Sequence, residues 1–149
     1  MPSHRERREL PYSQEQVFDL VADIVKYPEF IDWFVAVRIL RRAGNVLDVE
    51  QIVRFKGIRS RFVTRAVLDR PMTIAIASTD PPFKRFEQRW SFAPAGRERT
   101  IVDYDSTLEL RSPLLEHAMR AFFDEPEIAR ITVDRFERRA HQLYAQSSA

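Results

Sequence analysis

Between Ser112 and Tyr144 the chain reads SPLLEHAMRAFFDEPEIARITVDRFERRAHQLY. Positions 115, 119, 122, 126, 129, 133, 136, 140 and 143 follow in alternating steps of four and three. Leu115, Met119, Phe122, Pro126, Ala129, Val133, Phe136, Ala140 and Leu143 therefore share one face of a helix. Ser112 before Pro113 suits a helix start, with Ser as cap and Pro at the first helical position. Pro126 removes a backbone donor inside the pattern, so a kink or break is expected near Asp124. At about 1.5 Å per residue the stretch would reach roughly 45 Å. Leu114, Leu115, Met119, Phe122 and Phe123 crowd its first half, whereas Arg135, Arg138, Arg139 and His141 solvate its second. A helix with so long an apolar stripe needs a broad surface to lie against.

The preceding chain supplies one. Residues 3–10 are polar and fit an edge strand. Ser13-Gln14-Glu15-Gln16 is a capping-box pattern, and Val17, Phe18, Val21, Ile24 and Val25 follow at helical spacing. Tyr27-Pro28-Glu29-Phe30 is read as opening a second short helix that carries Phe30, Ile31, Trp33 and Phe34. From Val35 the period becomes two. Strand-like stretches run over Val35–Arg42, Val46–Phe55, Ile58–Leu68, Met72–Ser78, Phe83–Phe92 and Thr100–Leu110. Gly44-Asn45, Lys56-Gly57, Arg70-Pro71, Pro81-Pro82 and Pro94-Ala95-Gly96 break them. Short turns make consecutive strands antiparallel neighbours. The expectation is an α+β fold: one domain over 1–149, with a curved antiparallel sheet of six to seven strands around a long C-terminal helix. Two short helices follow the first strand, and 145–149 form a frayed tail.

Composition removes several classes of function. With three glycines there is no phosphate-cradling glycine loop. With no cysteine there is no disulfide, thiolate metal site or cysteine nucleophile. His4, His117 and His141 lack the spacing of a ligand pair, so no metal is expected; His4 is set aside with the ragged N-terminus. Asp103 and Asp105 share a strand face that reads as solvent-exposed. No apolar run approaches the ~20 residues of a membrane span, and the first residues lack the apolar core of a secretory leader. A cytoplasmic protein is expected. Arg54, Lys56, Arg59, Arg61, Arg65 and Arg70 face one acid, Asp69, within their stretch. Such a basic patch suits RNA or anionic lipid, and equally a solvated sheet face.

Aromatic side chains are concentrated on the faces that point between sheet and helix: Trp33, Phe34, Phe62, Phe86, Trp90, Tyr104, Phe122 and Phe123. Gln51, Thr64, Gln88 and Ser106 interrupt the same rows. A solid core and an apolar cavity with a few placed polar groups both fit this pattern. No activated nucleophile or acid–base pair is apparent, which argues for binding rather than catalysis.

Particular segments then resemble a known family. They are Phe18-Asp19-Leu20-Val21-Ala22-Asp23, Tyr27-Pro28-Glu29-Phe30 with Trp33, Phe55-Lys56-Gly57-Ile58 with Thr64-Arg65, Pro82-Phe83-Lys84-Arg85-Phe86, Trp90-Ser91-Phe92 and Phe136-Glu137-Arg138-Arg139-Ala140. Together they look like the coenzyme Q-binding START-like family, with its bacterial relatives known as ribosome association toxin A. The resemblance runs from about Glu9 to Tyr144. It implies a helix-grip fold with a hydrophobic tunnel. It also implies non-enzymatic binding of ubiquinone or another polyprenyl quinone in support of respiratory electron transport. The quinone would be a bound ligand, not a catalytic cofactor.

The bacterial branch implies a rival: association with the large ribosomal subunit and a toxin-like block of subunit joining. An aromatic-compound cyclase is a third, weaker possibility. Two departures from the family pattern fall where the resemblance places the tunnel mouth, Asp32 where Pro is usual and Pro81 where Gly is usual. The ligand contacts expected are Phe30, Trp33, Phe34, Gln51, Phe62, Thr64, Phe86, Gln88, Trp90, Tyr104, Met119, Phe122 and Phe123, with Phe30, Trp33 and Phe34 as a gate. Expected partners are a polyprenyl quinone or other lipid, the large ribosomal subunit through the basic patch, and the inner face of the respiratory membrane by peripheral contact. No DNA partner is expected.

Overall fold

A computed structural model of the chain describes residues 3–55, 57–122 and 125–145, with side chains throughout except those of Ser3, Phe55, 118–122 and 125–126. Seven strands form one antiparallel sheet: β1 (Ser3–Leu10), β2 (Phe34–Ala43), β3 (Val46–Phe55), β4 (Ile58–Asp69), β5 (Thr73–Ser78), β6 (Phe83–Pro94) and β7 (Thr100–Leu110). Their order is β1-β7-β6-β5-β4-β3-β2, so β2 through β7 form a meander and β1 caps the β7 edge. The inner face of β3 carries Leu47, Val49, Gln51 and Val53, all buried, in the alternation that the sequence displays. The outer rows are charged and paired across strands. Arg5 meets Asp105 at 2.6 Å and Arg7 meets Asp103 at 2.7 Å, which accounts for the two acids of β7 as a solvated face.

Helix α1 (Gln14–Ala22) starts with the expected capping box. Ser13 Oγ accepts the Gln16 N–H at 3.2 Å, and the Gln16 side chain accepts the Ser13 N–H at 3.0 Å. Two backbone donors of the first turn are thus satisfied reciprocally. The apolar side of α1 is buried, and Phe18 meets Phe92 of β6 edge-on at 5.7 Å.

The second short helix differs from expectation. It is a 3-10 helix over Ile24–Glu29, following directly on Asp23, with Pro28 inside it and Phe30 already past its end. Sheet pairing explains the early stop. Phe34 is drawn into register opposite Val53, and the Trp33 carbonyl accepts the Arg54 N–H at 2.8 Å. The backbone from Trp33 onward is therefore extended.

The C-terminal stretch forms helix α2 (Pro113–Phe122), helix α3 (Glu125–Ala140) and a π-helical turn over His141–Ala145. Ser112 caps α2, its Oγ accepting the Leu115 N–H at 3.2 Å. The kink expected near Asp124 lies outside the described residues, as does the tail beyond 145. Helix α3 buries Ala129, Val133, Phe136 and Ala140, four positions of the predicted stripe, against the sheet. Ion pairs fix its other sides. Arg8 of β1 reaches Asp134 at 2.7 Å and Glu137 at 2.9 Å. Arg135 reaches Asp32 at 3.1 Å and Arg139 reaches Glu29 at 2.9 Å.

Candidate functional site

The apolar interior falls into two clusters. The larger joins α1, α3 and the middle of the sheet; the smaller is Val53, Phe62, Phe83 and Leu110 at the far end of β3, β4, β6 and β7. Trp33, Phe34 and Phe86 pack against both clusters without being fully buried. These three side chains line a cavity of about 380 Å³ that lies between sheet and helix. The volume is at the small end of the range for small-molecule pockets. Of the two readings left open by the aromatic rows, a cavity is the one the structure contains.

Eight of the expected contacts line this cavity: Trp33, Phe34, Gln51, Phe62, Phe86, Gln88, Trp90 and Tyr104. Thr64 stands one layer behind, fully buried, and accepts a hydrogen bond from the Gln51 amide at 3.0 Å. Phe30 is not on the wall. It ends the 3-10 helix and packs on the larger cluster, its ring edge-on to Phe136 at 5.3 Å and covered by the Arg139 guanidinium at 5.2 Å. It packs on Phe136 behind the wall. The side chains of Met119, Phe122 and Phe123 lie outside the described ones.

Sheet register explains how the polar groups come together. Ile76, Gln88, Ser106 and His4 are direct cross-strand partners over β5, β6, β7 and β1, and all four line the cavity. Their row is flanked by Tyr104, opposite Trp90, with the two rings 4.5 Å apart. The Gln88 amide donates to the Tyr104 hydroxyl at 2.9 Å. Burial pushes the Tyr104 phenol up to about 12, so it stays a neutral hydroxyl. Gln51 lies on β3 on the other side of the cavity. Each glutamine carries a second amide N–H that these bonds leave unused among the described residues. The cavity thus has aromatic and aliphatic walls and two amide donors on separate strands.

Several wall residues lie outside the set of ligand contacts expected from sequence. Phe136 stands edge-on to Trp90 at 5.0 Å and to Tyr27 at 5.1 Å, closing the α3 side. Its place in the helical stripe was the available signal. Tyr27 is buried, with its hydroxyl donating to the Val21 carbonyl, and burial raises its phenol far above the ordinary value. His4 belongs to an N-terminus expected to be ragged, yet the inward alternation of His4, Glu6, Arg8 and Leu10 on β1 brings it to the wall. Among the described residues no group of three or more His, Cys, Asp or Glu side chains is placed to hold a metal ion. Among them, too, no helix is long and apolar enough to cross a membrane.

Three of the six cations of the basic stretch are neutralised by acids from neighbouring elements. Arg61 is bonded to Glu50, with its Nε at 2.9 Å. Arg65 is 2.9 Å from Asp48, and Arg70 is 2.8 Å from Asp19. The hydrogen bonds from Arg61 and Arg65 hold the Glu50 and Asp48 carboxyls below the usual carboxylate range. Counting acids only within the stretch missed them, because Glu50 and Asp48 sit on β3 and Asp19 on α1. Arg54 and Arg59 have no acid partner among the described residues; Lys56 lies outside them.

Comparisons with known proteins agree with this geometry. Residues 10–133 match the family described as polyketide cyclase / dehydrase and lipid transport. The ribosome association toxin RatA of Pseudomonas aeruginosa is 32% identical over 145 residues, covering 97% of this chain and 99% of that protein. A mitochondrial coenzyme Q-binding protein of Xenopus laevis is 29% identical over 147 residues, covering 96% of this chain and 59% of that protein. Among solved structures, an 18 kDa protein from Caulobacter crescentus is 33% identical, with a TM-score of 0.75 and coverage of 97% and 99% of the two chains. A Streptomyces aromatase/cyclase, at 16% identity, has a TM-score of 0.80 over 95% of this chain and 94% of its own, a likeness of fold alone.

Proposed function

Because the chain belongs to the polyketide cyclase / dehydrase and lipid transport family, we propose that it is a non-enzymatic carrier of a polyprenyl quinone, ubiquinone being the best-matched candidate. The observation that carries this reading is the pair of unused amide donors, Gln51 and Gln88, on separate strands of an otherwise apolar cavity. A quinone ring presents carbonyl oxygens at opposite ends and no hydrogen-bond donor, so it needs donors in the wall. Gln51, backed by Thr64, would meet one carbonyl, and Gln88, backed by Tyr104, the other. The aromatic faces of Trp33, Phe86 and Trp90 would enclose the ring. The first tail carbons would lie along Phe62, Ile76 and Phe136. At about 0.8 kcal/mol per buried CH₂, roughly ten methylene equivalents suffice for micromolar binding before ordering costs. The relative named for coenzyme Q binding supports the ligand class. A carrier of this kind would touch the respiratory membrane peripherally to load and unload.

The test is a titration with a short-tailed, water-soluble quinone, followed by tryptophan fluorescence. Trp33 and Trp90 are the chain's two tryptophans, and both line the cavity. Saturable quenching is expected in the micromolar range and is lost in a folded Phe86→Glu variant. Quenching that never saturates, or that survives in that variant, removes this reading.

A second reading has its own support. The similarity to proteins named for ribosome association extends over nearly the whole of both chains. Under it the protein binds the large subunit and blocks subunit joining, with Arg54 and Arg59 as the cations left to meet RNA phosphate. Co-sedimentation with large subunits across a salt series decides it: binding that falls steeply with salt supports the ribosome, and no co-sedimentation at low salt removes it. A cyclase activity, to which the family description and a likeness of fold point, predicts turnover of an aromatic polyketide; the donors named here supply binding without it.

A further inference from the structure

We infer that the tip of the β3–β4 hairpin and the first turn of α2 form a face that docks on an anionic bilayer surface, with the cavity mouth at its centre. The inference rests on the lipid-carrier reading and names the surface through which it works. Three observations lead to it.

The first is where the cavity opens. Ile58 on the hairpin tip and Leu115 on α2 both line it, yet they are 62% and 40% exposed. Leu114, next along α2, is 80% exposed. These are large aliphatic side chains grouped around an opening, not scattered singly over the surface, and grouped exposed apolar side chains mark interaction sites. Gly57, with φ of +83°, takes up a left-handed conformation just before Ile58 that suits glycine.

The second is charge. Arg54 and Arg59 are direct cross-strand partners at the hairpin tip. Like charges in that position repel. Elsewhere on these strands arginines are met by acids, as Arg61 is by Glu50 and Arg65 by Asp48, but this pair has none among the described residues. Arg111, at the start of α2, donates to the carbonyls of Phe83 and Thr79 and likewise has no acid partner among them. Of the acids at this end, Glu87 is paired with Arg85 at 3.0 Å and Glu109 with Lys84 at 3.4 Å; Glu116 beside Leu115 also has a partner, and Asp80, bonded to the Val63 N–H at 2.8 Å, keeps its charge against the three arginines. Net positive charge therefore collects around an apolar lip. Lipid phosphate would relieve the Arg54–Arg59 repulsion while Ile58 and Leu114 enter the acyl boundary. RNA could satisfy the arginines but offers no apolar phase for the aliphatic residues.

The third is size. A cavity of 380 Å³ is drug-sized at most, too small for a long polyprenyl chain. The remainder of the tail must leave by the mouth, and a mouth seated on a bilayer lets it stay in lipid.

The experiment is co-sedimentation of the full chain with vesicles of phosphatidylcholine alone and of phosphatidylcholine with phosphatidylglycerol. Wild type is expected to partition at least tenfold more strongly onto the anionic vesicles. The double variant Arg54→Ala/Leu114→Ser, which alters no wall residue, is expected to lose that preference while its titration with short-tailed quinone is unchanged and its circular dichroism is that of wild type. Equal partitioning of wild type onto both vesicles, or undiminished partitioning of the variant, overturns the docking face. So does a variant that keeps vesicle binding but loses co-sedimentation with ribosomal subunits. Failure of quinone to quench wild type removes the carrier reading instead, and the vesicle result then stands or falls separately.

Discussion

Gln88 donates to the Tyr104 hydroxyl at 2.9 Å from one strand to the next, and both side chains face the cavity. Tyr104 is 3% exposed and Gln88 half-buried, so removing the hydroxyl leaves that amide N–H without its side-chain partner. Tyr104→Phe, which keeps the ring against Trp90, is expected to cost about 1–2 kcal/mol in urea unfolding. Because the cost comes from an orphaned donor, Gln88→Leu in the Tyr104→Phe background should recover part of it. A double variant as unstable as the sum of the two singles would show that the pair does not act as a unit.

The same hydroxyl sets an alkaline limit. Burial raises the Tyr104 phenol from its ordinary 10 to about 12, and raises Tyr27 further. A raised folded value means that this stabilisation is complete below pH 10 and is lost as pH climbs from 10 through about 12. Burial raises all four tyrosines, so absorbance titration should show every one ionising later than a free phenol, with Tyr104 and Tyr27 last and coinciding with loss of tertiary structure. In Tyr104→Phe one late step disappears, and stability falls less steeply above pH 10. Ionisation of all four tyrosines near pH 10 in the folded protein would contradict the burial argument.

Phe136 touches Tyr27, Phe30 and Trp90, each with ring centroids 5.0–5.3 Å away. Phe136→Ala is expected to cost about 3–5 kcal/mol, the usual range for deleting a buried aromatic ring. The space it leaves joins the cavity, so a bound quinone should restore part of the loss. At a hundredfold excess over Kd that restoration is about 2.7 kcal/mol. Thermal unfolding with and without ligand measures both quantities, and a variant that ligand leaves unstabilised would show that Phe136 is needed for binding itself.

Arg8 bridges Asp134 and Glu137 of α3 and lies 3.5 Å from Glu6. It is one-quarter exposed, between the surface pairs worth little and the buried pairs whose rupture is costly. Arg8→Ala leaves three carboxylates without their shared cation, and a loss of about 2 kcal/mol is expected. Hydrogen exchange should quicken in the second half of α3 and remain unchanged in β3 and β4. Arg8→Lys should recover less than half, because an ammonium cannot fork between two acids as a guanidinium does.

Local physics was legible in the sequence. The capping box at Ser13, the alternation along β3, β4, β6 and β7, and the stripe through Ala129, Val133, Phe136 and Ala140 each involve neighbours a few residues apart. Period and capping chemistry therefore revealed them. An α+β sheet-and-helix fold followed, because an antiparallel sheet and an apolar helix have to cover each other. What depends on residues distant in sequence was decided only by tertiary structure. Pairing of Phe34 with Val53 cut the second helix short. Register across β5, β6, β7 and β1 brought His4 beside Ser106 and Gln88, although about a hundred positions separate His4 from Ser106. Acids from β3 and α1 neutralised Arg61, Arg65 and Arg70, leaving Arg54 and Arg59 exposed as a pair. Whether the aromatic rows met in a solid core or parted around a cavity was likewise undetermined by pattern, since hydrophobic periodicity says which way a side chain faces but not how far away the opposite wall stands.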